Sequence, residues 1–274
     1  MESSPLMTGT GYVDAHVHLR DAAGLADAGR AGVIAVRDGG SRDGAGLALI
    51  GMDTTTVLSA GWALCNKGGY GSMFGVALES REQIAGEIVK LKKAGAGIIK
   101  VIASGMVSLK RPGEITGGGF GRDDLRFIVE TARSNGLGVM AHANGEAAIV
   151  NAAEAGVRSV EHGFFMTEKT LASLHANRVF WVPTTGALQR AADQPDIGHE
   201  AKRFVERTID EHLAMVRKAY ELGVPLAVGT DAVLPDRRYG GFYEAELMYF
   251  RRAGIPGDQV LAIARQGGKK LLGI

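Results

Sequence analysis

Cysteine is almost absent: a single thiol, Cys65, in 274 residues leaves no internal disulfide framework and no cysteine-based zinc cluster. Long apolar runs are missing too, since no stretch approaches the ~18 consecutive apolar residues that span a bilayer. Residues 1–11 hold neither the apolar core nor the basic start of a secretory leader. Charge of one sign is also lacking: 31 Lys+Arg against 30 Asp+Glu give a net +1, which supplies no electrostatic footprint for nucleic acid or an anionic membrane surface. The expectation is a cytoplasmic protein whose partner is a small molecule, with no nucleic acid and no membrane. Proline is scarce at 7 residues, whereas glycine reaches 40, about twice the usual share. Without a collagen-like period, that glycine implies many tight turns and close backbone approaches. A hydrophobic share of 46% demands a buried core and argues against disorder.

Short β-branched runs alternate along the chain with stretches of helical period. Strands are expected at 12–19, 32–38, 56–60, 97–104, 138–143, 159–162, 179–184 and 225–230, and helices at 81–94, 123–135, 146–155, 168–177 and 200–222. In the first of these helices Ile84, Ile88 and Leu91 share one face, the stripe that packs on a sheet. Ala94-Gly95, Ala155-Gly156 and Leu222-Gly223 place a glycine where a helix ends in the left-handed region before a strand. Eight such units without a composition break read as an α/β fold, a single-domain (β/α)8 TIM barrel over 1–274 with residues 1–11 as an N-terminal tail. The longest irregular stretches, 61–72, 105–122, 185–198 and 233–241, each follow a strand, where a barrel keeps its functional loops.

That fold places chemistry at the C-terminal ends of the strands, and polar residues cluster there. His16 and His18 close the first strand, and a period of two sends both imidazoles to one face. Lys100 lies within Ile98-Ile99-Lys100-Val101-Ile102, His142 ends the fifth strand, His162 the sixth and Asp231 the eighth. Each alone has an ordinary structural explanation, such as a core histidine, a snorkelling lysine or a helix cap. Together, five ligand-type side chains and a lysine on one rim form a metal site, because unpaired they would be costly to bury. Imidazoles with one carboxylate and no thiolate suit Zn²⁺, with Mn²⁺, Fe²⁺ and Co²⁺ as alternatives. Desolvation among isoleucines and valines lowers the pKa of Lys100; its neutral amine can add carbon dioxide, and the resulting carbamate can bridge two metals at ~3.5–4 Å.

The strings Val13-Asp14-Ala15-His16-Val17-His18-Leu19, Ile99-Lys100-Val101-Ile102-Ala103-Ser104-Gly105, Val139-Met140-Ala141-His142-Ala143-Asn144-Gly145, Ser159-Val160-Glu161-His162-Gly163 and Ala227-Val228-Gly229-Thr230-Asp231-Ala232 resemble the amidohydrolase superfamily of metal-dependent hydrolases. The likeness runs from Tyr12 to the last helix and is strongest to the prolidase-like and imidazolonepropionase-like branch. The resemblance implies that His16, His18 and Asp231 hold the more buried of two divalent metal ions, with zinc the first choice. His142 and His162 hold the other, and carbamylated Lys100 bridges them. By the same pattern a hydroxide lies between the metals and Asp231 is the catalytic general base. Imidazolonepropionases lack the lysine, so Lys100 points to the binuclear, peptidase-like side.

Two features depart from the pattern. Relatives usually carry a β-sandwich built from segments flanking the barrel, whereas here about eleven residues precede the first strand and the chain stops at Leu271-Leu272-Gly273-Ile274. A barrel without the sandwich is therefore expected. Arg20 extends the first motif to His-Val-His-Leu-Arg, similar to dihydroorotases, in which that arginine grips a substrate carboxylate. Arg20 is a candidate substrate contact, as are Tyr70, Thr184, Arg237, Arg238 and Tyr239; Asp236 shares the last loop, whose arginines suit bidentate carboxylate binding. The Gly117–Gly121 run lacks the lysine of a phosphate-binding loop and reads as a lid. His175, His199 and His212 receive no role. The expected function is cleavage of an amide-type C–N bond in a dipeptide, an N-acyl amino acid or a cyclic amide. Alternatives are a lactonase or phosphotriesterase using the same centre, or a catalytically silent barrel with a binding role. A homo-oligomer is compatible with such a barrel.

Overall fold

The computed structural model describes Met7 and residues 9–274; the rest of the expected tail lies outside the described residues. Its elements follow in the order β1 (Tyr12–Leu19), α1 (Ala22–Arg30), β2 (Val33–Asp38), α2 (Ala45–Ala48), β3 (Thr56–Ser59), β4 (Ala63–Asn66), β5 (Gly75–Leu78), α3 (Arg81–Lys93) and β6 (Ile98–Ile102). Then come α4 (Arg122–Ser134), β7 (Gly138–Ala143), α5 (Glu146–Ala155), β8 (Ser159–His162), α6 (Glu168–Ala176), β9 (Phe180–Val182), α7 (Thr185–Ala192) and α8 (His199–Leu222). The chain finishes with β10 (Ala232–Leu234), α9 (Tyr239–Arg252), α10 (Gly257–Ala262), a π-helical turn (Ile263–Gly267) and α11 (Gly268–Leu272).

All eight residues of β1 are buried, as required of a parallel strand covered on both faces. Parallel pairing gives two runs, β10-β1-β2-β3 and β5-β4-β6-β7-β8-β9, and backbone hydrogen bonds join them at both ends. Gly97 N–H donates to Ser59 O (3.0 Å), linking the end of β3 to the entry of β6. On the other side the segment 225–231 lies between β9 and β1. Trp181 N–H donates to Pro225 O (2.9 Å), Ala227 N–H to Trp181 O (3.2 Å), Ala15 N–H to Val228 O (2.8 Å) and Asp231 N–H to His16 O (2.7 Å). The ring is thereby a closed eight-stranded barrel, with β3 and β4 as the two halves of its third strand and β5 added outside it.

The eighth strand differs from its expected form. Residues 225–230 make one isolated bridge, Leu226 with Trp181, and regular pairing with β1 starts only at Ala232 opposite Val17. Close approach explains the irregularity. A Cβ on Gly229 would stand 2.5 Å from Val182 Cγ1 and 2.9 Å from His16 Cβ, and Thr230 turns both its N–H and its hydroxyl to the buried Asp14 carboxylate (3.0 and 2.7 Å).

The helices follow the sequence signals more closely. In α4, Leu125, Ile128, Val129 and Ala132 are buried, Asp123 and Asp124 occupy the first turn, and Gly136 at φ +70° ends it. In α8 the buried stripe includes Phe204, Ile209, Leu213 and Val216, and left-handed Gly223 is the cap. An additional helix, α7, occupies part of the stretch expected to be irregular. Its first N–H groups, on Thr185 and Gly186, donate to the carboxylate of Glu246 in α9 (3.1 and 2.6 Å), so its cap comes from far along the chain. Among the described residues no helix is long and apolar enough to cross a membrane.

Candidate active site

Strand ends deliver the polar residues, and local backbone turns aim them. His162, Thr184 and Asp231 have φ of +67°, +47° and +52°, a region non-glycine residues seldom adopt and which concentrates at functional sites. His16, His18, Lys100, His142, His162 and Asp231 line one cavity of about 40 Å³, enough for ions or water but little more. One ligand atom from each of His16, His18 and Asp231 lies within 4.8 Å of the others: Asp231 Oδ1 is 3.4 Å from His16 Nε2 and 3.2 Å from His18 Nε2. The His142 ring is 4.5 Å from that of His162, which is 5.2 Å from that of His16, centroid to centroid. Lys100 Nζ is 3.2 Å from His16 Nε2.

Each histidine has one ring nitrogen occupied by a partner behind it, which leaves the other for a ligand. His16 Nδ1 pairs with Glu161 Oε2 (2.9 Å), His18 Nδ1 with Gly40 O (2.6 Å), and His162 Nδ1 with Thr184 Oγ1 (2.6 Å). His142 uses Nε2 instead, against Gly105 O (3.0 Å); the Asn144 side-chain amide donates to the same carbonyl (3.2 Å). Glu161 is itself held by Arg37, whose guanidinium donates to Glu161 Oε1 (2.7 Å), Ser159 Oγ (2.7 Å) and Ala15 O (2.6 Å). Arg37 and Glu161 are both fully buried. A buried hydrogen-bonded chain thus leads from the cavity through His16 and Glu161 to Arg37.

The electrostatics match a cation-binding donor set. Burial lowers His16 to about 4, with Lys100 adding to the effect, and lowers His142 to about 3. Burial, then the neighbouring His142, holds His162 well below its usual value. These imidazoles are neutral and can offer lone pairs. Burial opposes ionisation of Asp231, but His16 and His18 outweigh it and hold the carboxyl well below its ordinary value. His18 is raised, because its bond to Asp231 and that carboxylate's charge overcome the burial. Lys100 falls to about 8, burial being the largest cause. Space is kept for a bound ion as well: a Cβ on Gly39 would stand 3.0 Å from His18 Cε1 and 3.2 Å from His16 Nε2. The residues present thus fit a divalent metal, most directly at His16, His18 and Asp231.

The amidohydrolase family pattern matches residues 10–274. The chain belongs to the amidohydrolase family. An Aspergillus niger ochratoxinase is 30% identical over 141 residues, a match spanning 51% of this chain and 29% of that protein. An uncharacterised Mycobacterium bovis protein is 27% identical over 278 residues, 96% of this chain and 74% of the relative. A crystal structure of a Xaa-Pro dipeptidase with methionine bound in its active site superposes with a TM-score of 0.81 at 23% identity, over 97% of this chain and 75% of that one. Such a superposition establishes the shared barrel. This amidohydrolase-family chain accordingly has the fold and the His/His/Asp cluster of a metal-dependent enzyme.

The expected substrate contacts divide. Tyr70 lines the metal cavity with its ring 5.1 Å from His142, and Arg20 lines the neighbouring pocket. Thr184 is fully buried and its hydroxyl is engaged by His162, so it holds that imidazole rather than offering a free surface. Tyr239 corrects its expectation: it is 1% exposed and its hydroxyl donates to Asp14 (3.0 Å), inside the core. Arg237 and Arg238 are exposed and line neither cavity; Arg238 pairs with Asp236 (2.8 Å), which removes it from the proposed carboxylate clamp. Sequence reasoning gave no role to Glu161 and Arg37. Their available signal was a charge of each sign inside short apolar strands.

Proposed function

We propose that this protein is a binuclear metal-dependent hydrolase of a small amide-type substrate: a dipeptide, an N-acyl amino acid or a cyclic amide. The observation that carries the reading is the convergence of four histidines, Lys100 and Asp231 on one cavity at the open end of the barrel. His16, His18 and Asp231 would hold one ion, and His142 and His162, next to them, a second. The lowered pKa of Lys100 favours the neutral amine, which could add carbon dioxide with loss of one proton to give a carbamate that would serve as a further metal ligand. When bound, the metals, with zinc preferred, polarise the scissile carbonyl and acidify water. Asp231 is ionised and partly open to the cavity, so the carboxylate oxygen not facing the two histidines can take a proton and pass it to the leaving amine. Tyr70 and Phe74 border the same cavity and restrict water. The amidohydrolase family match over residues 10–274 supports this reaction class.

Metal analysis after growth with zinc and bicarbonate, combined with a panel of dipeptides, N-acyl amino acids, lactones and phosphotriesters, tests the reading. Two metals per chain and turnover confined to the amides are expected, with Asp231→Asn losing about 10²–10⁴-fold in rate. Fewer than one metal per chain, or full turnover by Asp231→Asn, rejects it.

A further inference from the structure

The loop after β8 and one face of α8 enclose a pocket of about 330 Å³ that shares no lining residue with the metal cavity. Thr208, Glu211, His212 and Met215 recur there at helical spacing, and Phe165 and Met166 of the loop line it with them. The volume lies in the range of small-molecule sites and far exceeds the share of a single water, about 30 Å³. Most of the wall is apolar, but it includes His212, which is 3% exposed. The neighbours of that ring settle its chemistry. Burial keeps it neutral. Nε2 faces the carbonyl oxygen of Pro183 (3.3 Å), which can only accept, so Nε2 carries the proton. Nδ1 is then a lone-pair acceptor, and it is buried without a hydrogen-bond partner among the described residues. The rings of Phe164 and Trp181 hold the imidazole in place. Its two nitrogens point in diverging directions, so with Nε2 turned to the end of β9, Nδ1 turns away from it, towards α8 and the pocket. A buried acceptor with no donor is costly, and a ligand that brings a donor removes the cost.

We propose that this pocket binds a small neutral phenol, whose hydroxyl donates to His212 Nδ1 while its ring lies against Phe165, Met166 and Met215. The walls select that class. An anion would bring only further lone pairs to Nδ1, and the carboxylate of Glu211, exposed on the pocket wall, would repel it. A purely apolar ring fills the space but leaves Nδ1 unpaired. Thioethers make favourable contacts with an aromatic ring and adapt to its outline, and Phe165 adds an aromatic neighbour. The site owes nothing to the hydrolase reading, since none of its residues is placed at the metals.

The probes are p-cresol and toluene, which differ only in the hydroxyl, titrated into the full chain at neutral pH. Binding is read by calorimetry and by the nitrogen NMR resonance of His212 Nδ1. Wild type is expected to bind p-cresol about 3–10-fold more tightly than toluene, the net worth of one hydrogen bond after the hydroxyl has given up its water. The phenol should also shift the Nδ1 resonance, which toluene leaves in place. His212→Phe keeps an aromatic ring in the stack but has no acceptor, and should remove or reverse the preference. Ala214→Trp, at an exposed position on the pocket wall, should close the pocket to both probes and, lying outside the core, leave the barrel folded, which circular dichroism checks. Equal affinities in wild type or unchanged p-cresol binding in Ala214→Trp overturns the proposal. So does binding of neither probe at roughly 10 mM, or an Nδ1 resonance that p-cresol does not move, the result expected where water already satisfies that nitrogen.

Discussion

The histidines are only as useful as the groups behind them. His16 presents Nε2 to the cavity because Glu161 occupies Nδ1, and Glu161 stays ionised because Arg37 and His16 overcome a burial that would otherwise raise it, bringing it to about 2. Glu161→Gln should weaken metal binding about 10–100-fold, the usual cost of losing such a partner. It should also destabilise the fold by about 3–5 kcal/mol, because Arg37 is left as an unpaired buried charge. The double variant Glu161→Gln, Arg37→Met separates these effects. Chemical denaturation should show much of the stability regained, while metal titration still shows weak binding. Recovery of affinity together with stability would mean that Glu161 acts on the fold alone. The cavity residues were legible because each lies in a short string whose strand position sets its direction. The Glu161–His16 pair was not, since its members are 145 residues apart and only barrel closure brings them together. Tyr239 differs from its expected exposed loop position for a related reason: Asp14, fully buried on β1, draws its hydroxyl inward.

At the level of elements, propensity and periodicity located α3, α4, α5, α6 and α8 and most strands, but neither α9 nor the pieces that depend on a distant partner. The eighth strand, expected at 225–230, runs between β9 and β1 there, but its regular pairing begins only at Ala232, because Asp14 takes the Thr230 groups. Helix α7 carries no local start signal, because its capping carboxylate, Glu246, is about 60 residues away. The long helix α8 carries a polar exception in its apolar stripe. His212 stacks on Phe164 at 4.4 Å and meets the edge of Trp181 at 5.1 Å. Its Nε2 faces Pro183 O (3.3 Å), whereas Nδ1 is buried without a hydrogen-bond partner. Burial lowers this imidazole from 6.5 to about 4. Between those values the unfolded chain binds a proton that the folded chain refuses, so stability is complete above about pH 6.5 and falls as pH drops towards 4. Linkage puts the loss at up to ~3 kcal/mol. His212→Gln retains a donor for the Pro183 carbonyl and cannot titrate. Its unfolding free energy, measured by urea melts from pH 7 to 4, should fall less steeply than that of wild type. Parallel curves would place the acid sensitivity elsewhere.

For the whole molecule, the metal site and barrel closure are one structural fact. His16 and His18 come from the first strand, Asp231 from the eighth, and the Asp231 N–H bond to His16 O lies at the seam between them. An ion held by these three side chains therefore clamps the two ends of the sheet, in addition to any catalytic use. Binding that is confined to the folded state stabilises by RT ln(1 + [L]/Kd), about 4 kcal/mol at a thousandfold excess of free metal over Kd. For a domain of this size that corresponds to a rise on the order of 10 °C in Tm. Chelator-stripped protein should lose this increment and regain it on titration with Zn²⁺. Asp231→Asn, which weakens the clamp, should show a smaller increment at the same free metal. The seam gives a further expectation: in hydrogen exchange, amides of β1, β10 and residues 225–231 should gain more protection on metal addition than those of β5, which lies outside the ring. A uniform gain around the ring would show that the metal stabilises the barrel without holding its seam, and an unchanged Tm would remove the clamp altogether.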